Sequence, residues 1–170
     1  MSMMRMRVVT AALVLGLGAC GGGDDGGDDG GTVDHRPNVT GAYASTGTMT
    51  LVIFGQSQTN DFSDTIRIAA SAGSNKSALN LRSDAFECGD GFPGTMTGER
   101  AFSVQQTECQ VHLDEQDCDG TLTVRSGTGN RDEAGTLHLS MKGDFSSRNC
   151  APIPVTGQFT MGLTGNRTGE

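Results

Sequence analysis

The sequence predicts an all-β fold, an antiparallel up-and-down meander of about eight to ten strands closing into a small β-barrel, with a β-sandwich as the alternative. Three observations carry this. Apolar and polar residues alternate with period two from Val39 onward, no segment shows a helical stripe, and clusters of Gly, Asn, Asp, Ser and Pro punctuate the alternation.

The strands follow in order. Met49, Leu51 and Ile53 interleave with Thr48, Thr50 and Val52; Ile66, Ile68 and Ala70 with Thr65, Arg67 and Ala69; Leu79 and Leu81 flank Asn80. Phe102 and Val104 come next, then Cys109, Val111 and Leu113 against Glu108, Gln110 and His112, then Leu122 and Val124. Leu137, Leu139 and Met141, and finally Val155, Phe159, Met161 and Leu163, complete the set. One dry and one wet face per strand is the mark of antiparallel sheets. The turns are read at GQSQTND (55–61), SAGSNKS (71–77), CGDGFPG (88–94), SGTGNRDEAG (126–135) and SSRNCAP (146–152). With seven Phe, one Tyr and no Trp, the core is expected to consist of medium-sized aliphatics and Met.

The amino terminus speaks of address. MSMMRMR carries Arg5 and Arg7 and no acid, and a short apolar run follows. At about 1.5 Å per residue, the stretch from Val8 to Ala19 spans roughly 18 Å, well short of the ~30 Å hydrocarbon core of a bilayer. It reads as a signal peptide, not a membrane span. Leu17-Gly18-Ala19 followed by Cys20 resembles a bacterial lipobox. The resemblance implies cleavage between Ala19 and Cys20 and a diacylglycerol thioether on Cys20, so that the mature chain is held to a membrane by its lipid. Gly21, where an Asp would favour inner-membrane retention, points to the outer membrane, on either its periplasmic face or the cell surface.

Residues 21–31 are only Gly and Asp, with acids at Asp24, Asp25, Asp28 and Asp29. Such a segment has nothing to bury and reads as a flexible, self-repelling tether. The expected organisation is therefore a signal peptide (1–19), a lipidated Cys and tether (20–32) and a single all-β domain (33–170).

Removing Arg5 and Arg7 from 12 basic residues leaves 10 against 20 acidic ones, a formal charge of −10 with an acylated amino terminus. A nucleic-acid role is excluded, because phosphate binding needs a basic surface. A charged partner is expected to be a basic protein.

Beyond Cys20 there are four cysteines, Cys88, Cys109, Cys118 and Cys150, which in an exported domain read as two structural disulfides. Three connectivities are open. Cys88 with Cys109 and Cys118 with Cys150 is preferred, because each pair brackets a strand return. No CxxC spacing supports zinc.

The lipobox, the Gly/Asp tether, the G-x-Y opening at Gly41 and Tyr43, the repeated G-T-[LM]-[TH] strand starts and the even cysteines together resemble the all-β lipoproteins of GC-rich Gram-negative bacteria. The likeness implies a fold and an address, and no activity. Tyr43 stands where lipocalins carry Trp, which argues against that family.

No chemistry stands out. There is no G-x-S-x-G motif; His35 lies at the ragged start, and His112 and His138 fall on polar strand phases, facing solvent. His112 and Asp114 share a face, but a metal site with His138 would need a register the sequence does not set. The acids from Asp114 to Asp119 lack the ligand offsets of a calcium loop. The expectation is thus a non-catalytic envelope binding or structural module, with no catalytic residues, metal or cofactor. A lipocalin-like carrier of a small apolar ligand, and a periplasmic inhibitor of a basic hydrolase such as lysozyme, are the alternatives.

Overall fold

The computed structural model describes residues 33–113, 118–147 and 154–169, with Leu113 and Cys118 described by backbone alone. A 3-10 turn, η1 (Arg36–Asn38), precedes nine strands: β1 (Gly41–Ile53), β2 (Gln56–Ala70), β3 (Ala78–Ser83), β4 (Phe92–Met96), β5 (Ala101–Val104), β6 (Thr107–Leu113), β7 (Cys118–Arg131), β8 (Leu137–Ser147) and β9 (Val155–Gly169). Every pairing between them is antiparallel. The predicted all-β meander is what forms.

The sheet runs β5-β4-β3-β2-β1-β9-β8-β7-β6, and β5 also pairs with β7. That extra pairing joins eight strands in a ring of hydrogen bonds and leaves β6 outside it. The ring-like bonding is common to a round barrel and to a flattened, sandwich-like cross-section.

β7 makes the closure possible by serving two partners in turn. Its first half, up to Val124, pairs with β6, and its second half, Gly127 to Asn130, pairs with β5. Between the halves the register against β8 slips at Arg125. One extra residue swaps which side chains face inward, so Leu122 and Val124 are buried before the slip and Gly127 and Gly129 after it. Gly129 leaves room for an aromatic: a Cβ there would lie 2.1 Å from the Phe102 ring.

The molecule therefore has a closed end, where β5 meets β7, and an open end, where β2, β1, β9, β8, β7 and β6 continue with no β2–β6 pairing. Tyr43, Phe92, Phe102, Ile66, Leu79, Leu81 and Leu137 fill the closed end and are almost wholly buried. The η1 segment stoppers it: Arg36 donates to the carbonyls of Ser71 and Asn75, Asn38 donates to the carbonyl of Glu99, and Arg131 donates to that of Asn38. Tyr43 completes the stopper by donating its hydroxyl to the Val39 carbonyl at 2.7 Å.

Three turn expectations are corrected. GQSQTND opens β2, because the β1–β2 turn needs only Phe54 and Gly55, at φ 50° and 76°. This is the two-residue turn whose twist suits a hairpin. SGTGNRDEAG is strand up to Arg131, since its glycines sit under facing side chains. Within CGDGFPG, Phe92–Met96 is β4; the ring accepts Pro93 and Gly94 there because Pro93 contributes its carbonyl, which accepts from the Gln105 amide.

Candidate functional site

The Cys88–Cys109 disulfide is formed, and it fastens a segment of unusual route. After Ser83 the chain leaves the sheet edge, and residues 84–91 cross the gap between β2 and β6 as a strap. On the β2 side the buried Asp64 carboxylate accepts from the Ser83 hydroxyl and from the amides of Asp84 and Ala85, and Arg67 pairs with Asp84. The ring of Phe62 stacks on that of Phe86. On the β6 side Glu87 and Gln110 exchange backbone hydrogen bonds at 3.1 and 2.7 Å, and the disulfide locks the next residue pair. The strap thus takes the place of one strand at mid-height.

Past the strap the inner face is half-exposed. Met49, Leu51 and Ile53 of β1, Phe62, Phe86 and Val111 pack against the core without being enclosed by it. At the tip of the β1–β2 hairpin Val52 and Phe54 are 38% and 73% exposed. All six residues from Gln56 to Asp61 are exposed, on both faces of the strand. No described strand pairs with the outer edge of β2 before Ile66. Around the strap three acids, Asp61, Glu87 and Glu108, and one base, Arg82, are exposed and make no ion pair among the described residues. Arg125, by contrast, is matched by Asp144.

His112 and His138 are strand residues facing solvent, as their phase predicts. His112 Nδ1 meets Asp119 at 2.9 Å across the β6–β7 ladder, and His138 Nε2 meets Asp132 at 3.0 Å in the β7–β8 turn. The His138 contact, with the Thr136 amide behind it, holds the Asp132 carboxyl below its usual range. His112 stands opposite Asp119 near the open end and His138 opposite Asn130 near the closed end, on strands that are not neighbours. They do not converge on one site. Among the described residues no group of three His, Cys, Asp or Glu side chains is placed to hold a metal ion. His35 occupies the N-cap position of η1 without a capping hydrogen bond from its side chain, and next to it the Arg36 guanidinium draws the Asp34 carboxyl down to about 2.

Ala19, Cys20 and the tether, together with Asp114 and Cys150, lie outside the described residues, and Cys118 opens β7. Sequence reading missed the strap and the bare edge of β2; the one available sign was the absence of Lys and Pro from 55–63.

No protein-family model matches the chain, and neither do any of the curated proteins or solved structures compared with it.

Proposed function

We propose that this chain is a lipid-anchored envelope module that binds a protein partner through the open end of its β-ring and performs no chemistry. The observation that carries this is the polarity of the fold. Val33 and η1, the segment that follows the tether, sit at the closed end, whereas Phe54 caps β1 at the other. Thirteen residues of β1 at about 3.3 Å each separate the two by roughly 40 Å of strand. An anchor on Cys20 would attach the domain through the segment that enters its closed end and leave the open end free of the attachment.

Charge supports the reading. Exposed acids without an ion pair among the described residues, Asp61 and Glu87, lie on the open side, while Arg36, Lys76, Arg100, Arg131 and Arg167 share the closed end with Asp34, Glu99, Asp132 and Glu133. A basic protein partner fits the first, and lysozyme is one example of a basic hydrolase. The aromatic and aliphatic filling of the closed end weighs against the carrier alternative, since a ligand pocket needs volume that its lining leaves empty.

Metabolic palmitate labelling of the full chain and of Cys20→Ala tests the anchor. Wild type is expected to be labelled and to sediment with membranes, and the variant to be unlabelled and soluble; an unlabelled wild type removes the anchor. Native mass spectrometry of Thr32–Glu170 tests the mode of binding. A bare polypeptide mass supports a surface module, and a persistent small-molecule adduct replaces it with the carrier.

A further inference from the structure

We propose that the free edge of β2 is a strand-addition site for an extended partner segment in which basic residues alternate with apolar ones. This rests on the binding-module reading and names the chemistry of its partner.

A two-residue hairpin turn makes Ile53 and Gln56 a hydrogen-bonded pair, so even-numbered residues of β2 exchange hydrogen bonds with β1. The 2.8 Å contact between the Thr50 and Thr59 hydroxyls fits this parity, because side chains approach closely at non-hydrogen-bonded pairs. Ser57, Thr59 and Asp61 therefore direct their N–H and C=O groups away from β1. No described strand receives them.

Proteins usually blunt such an edge with Lys, Pro, a bulge or a short strand. Here residues 56–65 run with no Lys, no Pro and no register slip against β1. Between the turn and the strap, no described strand pairs with this edge, which is a template for main-chain pairing.

Width and chemistry select the occupant. At mid-height a single stretch of backbone, the strap, reaches from β2 to β6. The gap is thus about two inter-strand steps, roughly 10 Å, which is room for one added strand. Such a strand presents alternate side chains to the two faces of the sheet. Those directed inward share a face with Phe62, Phe86 and Val111, partly buried groups that favour apolar residues, flanked on β2 by Asn60 and Gln58. Those directed outward meet Asp61 and Glu87, which favour Lys or Arg. A second copy of this acidic chain would bring like charges to these acids.

The test uses the compact unit Thr32–Glu170, which contains the whole described core. The probes are a synthetic octapeptide alternating lysine and valine, its glutamate-valine counterpart, and the lysine-valine peptide N-methylated at alternate residues. Binding is followed by fluorescence anisotropy and by amide hydrogen exchange. The lysine-valine peptide is expected to bind and to protect the amides of Ser57, Thr59 and Asp61. The glutamate and N-methylated peptides are expected to bind at least about tenfold more weakly. Asp61→Lys, an exposed substitution, is expected to reduce lysine-valine binding and to improve glutamate-valine binding.

Three results would overturn the proposal: no binding, equal binding of both charge types, or protection of the same amides by self-association without peptide. Any of these leaves the lipid anchor intact, so the two readings fail separately.

Discussion

Phe62 stacks on Phe86 with ring centroids 5.2 Å apart and planes within 8° of parallel. This contact ties β2 to the strap, and Cys88–Cys109 ties the strap to β6. The two attachments together hold the gap at a fixed width.

Each attachment has a measurable stability. The disulfide joins residues 21 apart in sequence, and a loop of that size corresponds to about 3 kcal/mol of lost unfolded-state entropy. Replacing both cysteines with Ala is expected to lower stability by about that amount in urea unfolding. A Phe62→Ala, Phe86→Ala double-mutant cycle should show a coupling of about 1 kcal/mol. Zero coupling would mean that the rings do not act as a pair.

Gly129 and Gly162 should respond oppositely to the same change. A Cβ on Gly129 runs into the buried ring of Phe102, whereas one on Gly162 meets nothing within 4 Å. Gly129→Val is expected to destabilise by about 2 kcal/mol or more, and Gly162→Val by less than about 0.5 kcal/mol. Thermal unfolding of the two variants side by side decides the matter.

Phe54 holds a left-handed conformation that suits Asn or Gly better than an aromatic residue. Phe54→Asn is expected to stabilise the hairpin by about 1 kcal/mol. It is also expected to weaken peptide binding, because it deletes the most exposed aromatic of the open end. A variant both more stable and equally competent would show that Phe54 takes no part in recognition.

Burial pushes the Tyr43 hydroxyl above its ordinary value of 10.0, with Arg131 and Arg167 partly opposing the rise. A raised acid binds its proton more tightly in the folded state. Its contribution is complete below about pH 10 and is lost as pH climbs from there through the folded value. Tyr43→Phe is expected to be less stable at pH 7 by about 1 kcal/mol, through the lost bond to the Val39 carbonyl. It is also expected to lose less stability than wild type between pH 10 and 12, as read from unfolding midpoints across that range.

Legibility in the sequence followed burial. Leu137, Leu139 and Met141 run from the closed end into the ring with one face dry, so their period of two stands out, and β8 is found within its true span. Gln56 to Asp61 form strand with both faces wet. With no period to show, the same residues resemble a turn. The slip at Arg125 was invisible because it answers to β5 and β6 lying on one side of β7, a fact of topology. The Cys88–Cys109 bridge was readable from strand returns; the strap it fastens was not, because Asp64 binds it from 20 residues away.

Among the described residues β2 offers an unpaired edge beyond the strap, and amide hydrogen exchange of Thr32–Glu170 by NMR tests this most directly. The amides of Ser57, Thr59 and Asp61 are expected to exchange rapidly, while those of Gln58, Asn60 and Phe62, directed at β1, are protected. Uniform protection from Ser57 to Phe62 would show that the edge is already paired, and uniformly fast exchange that the hairpin arm does not hold as strand; either would contradict the account.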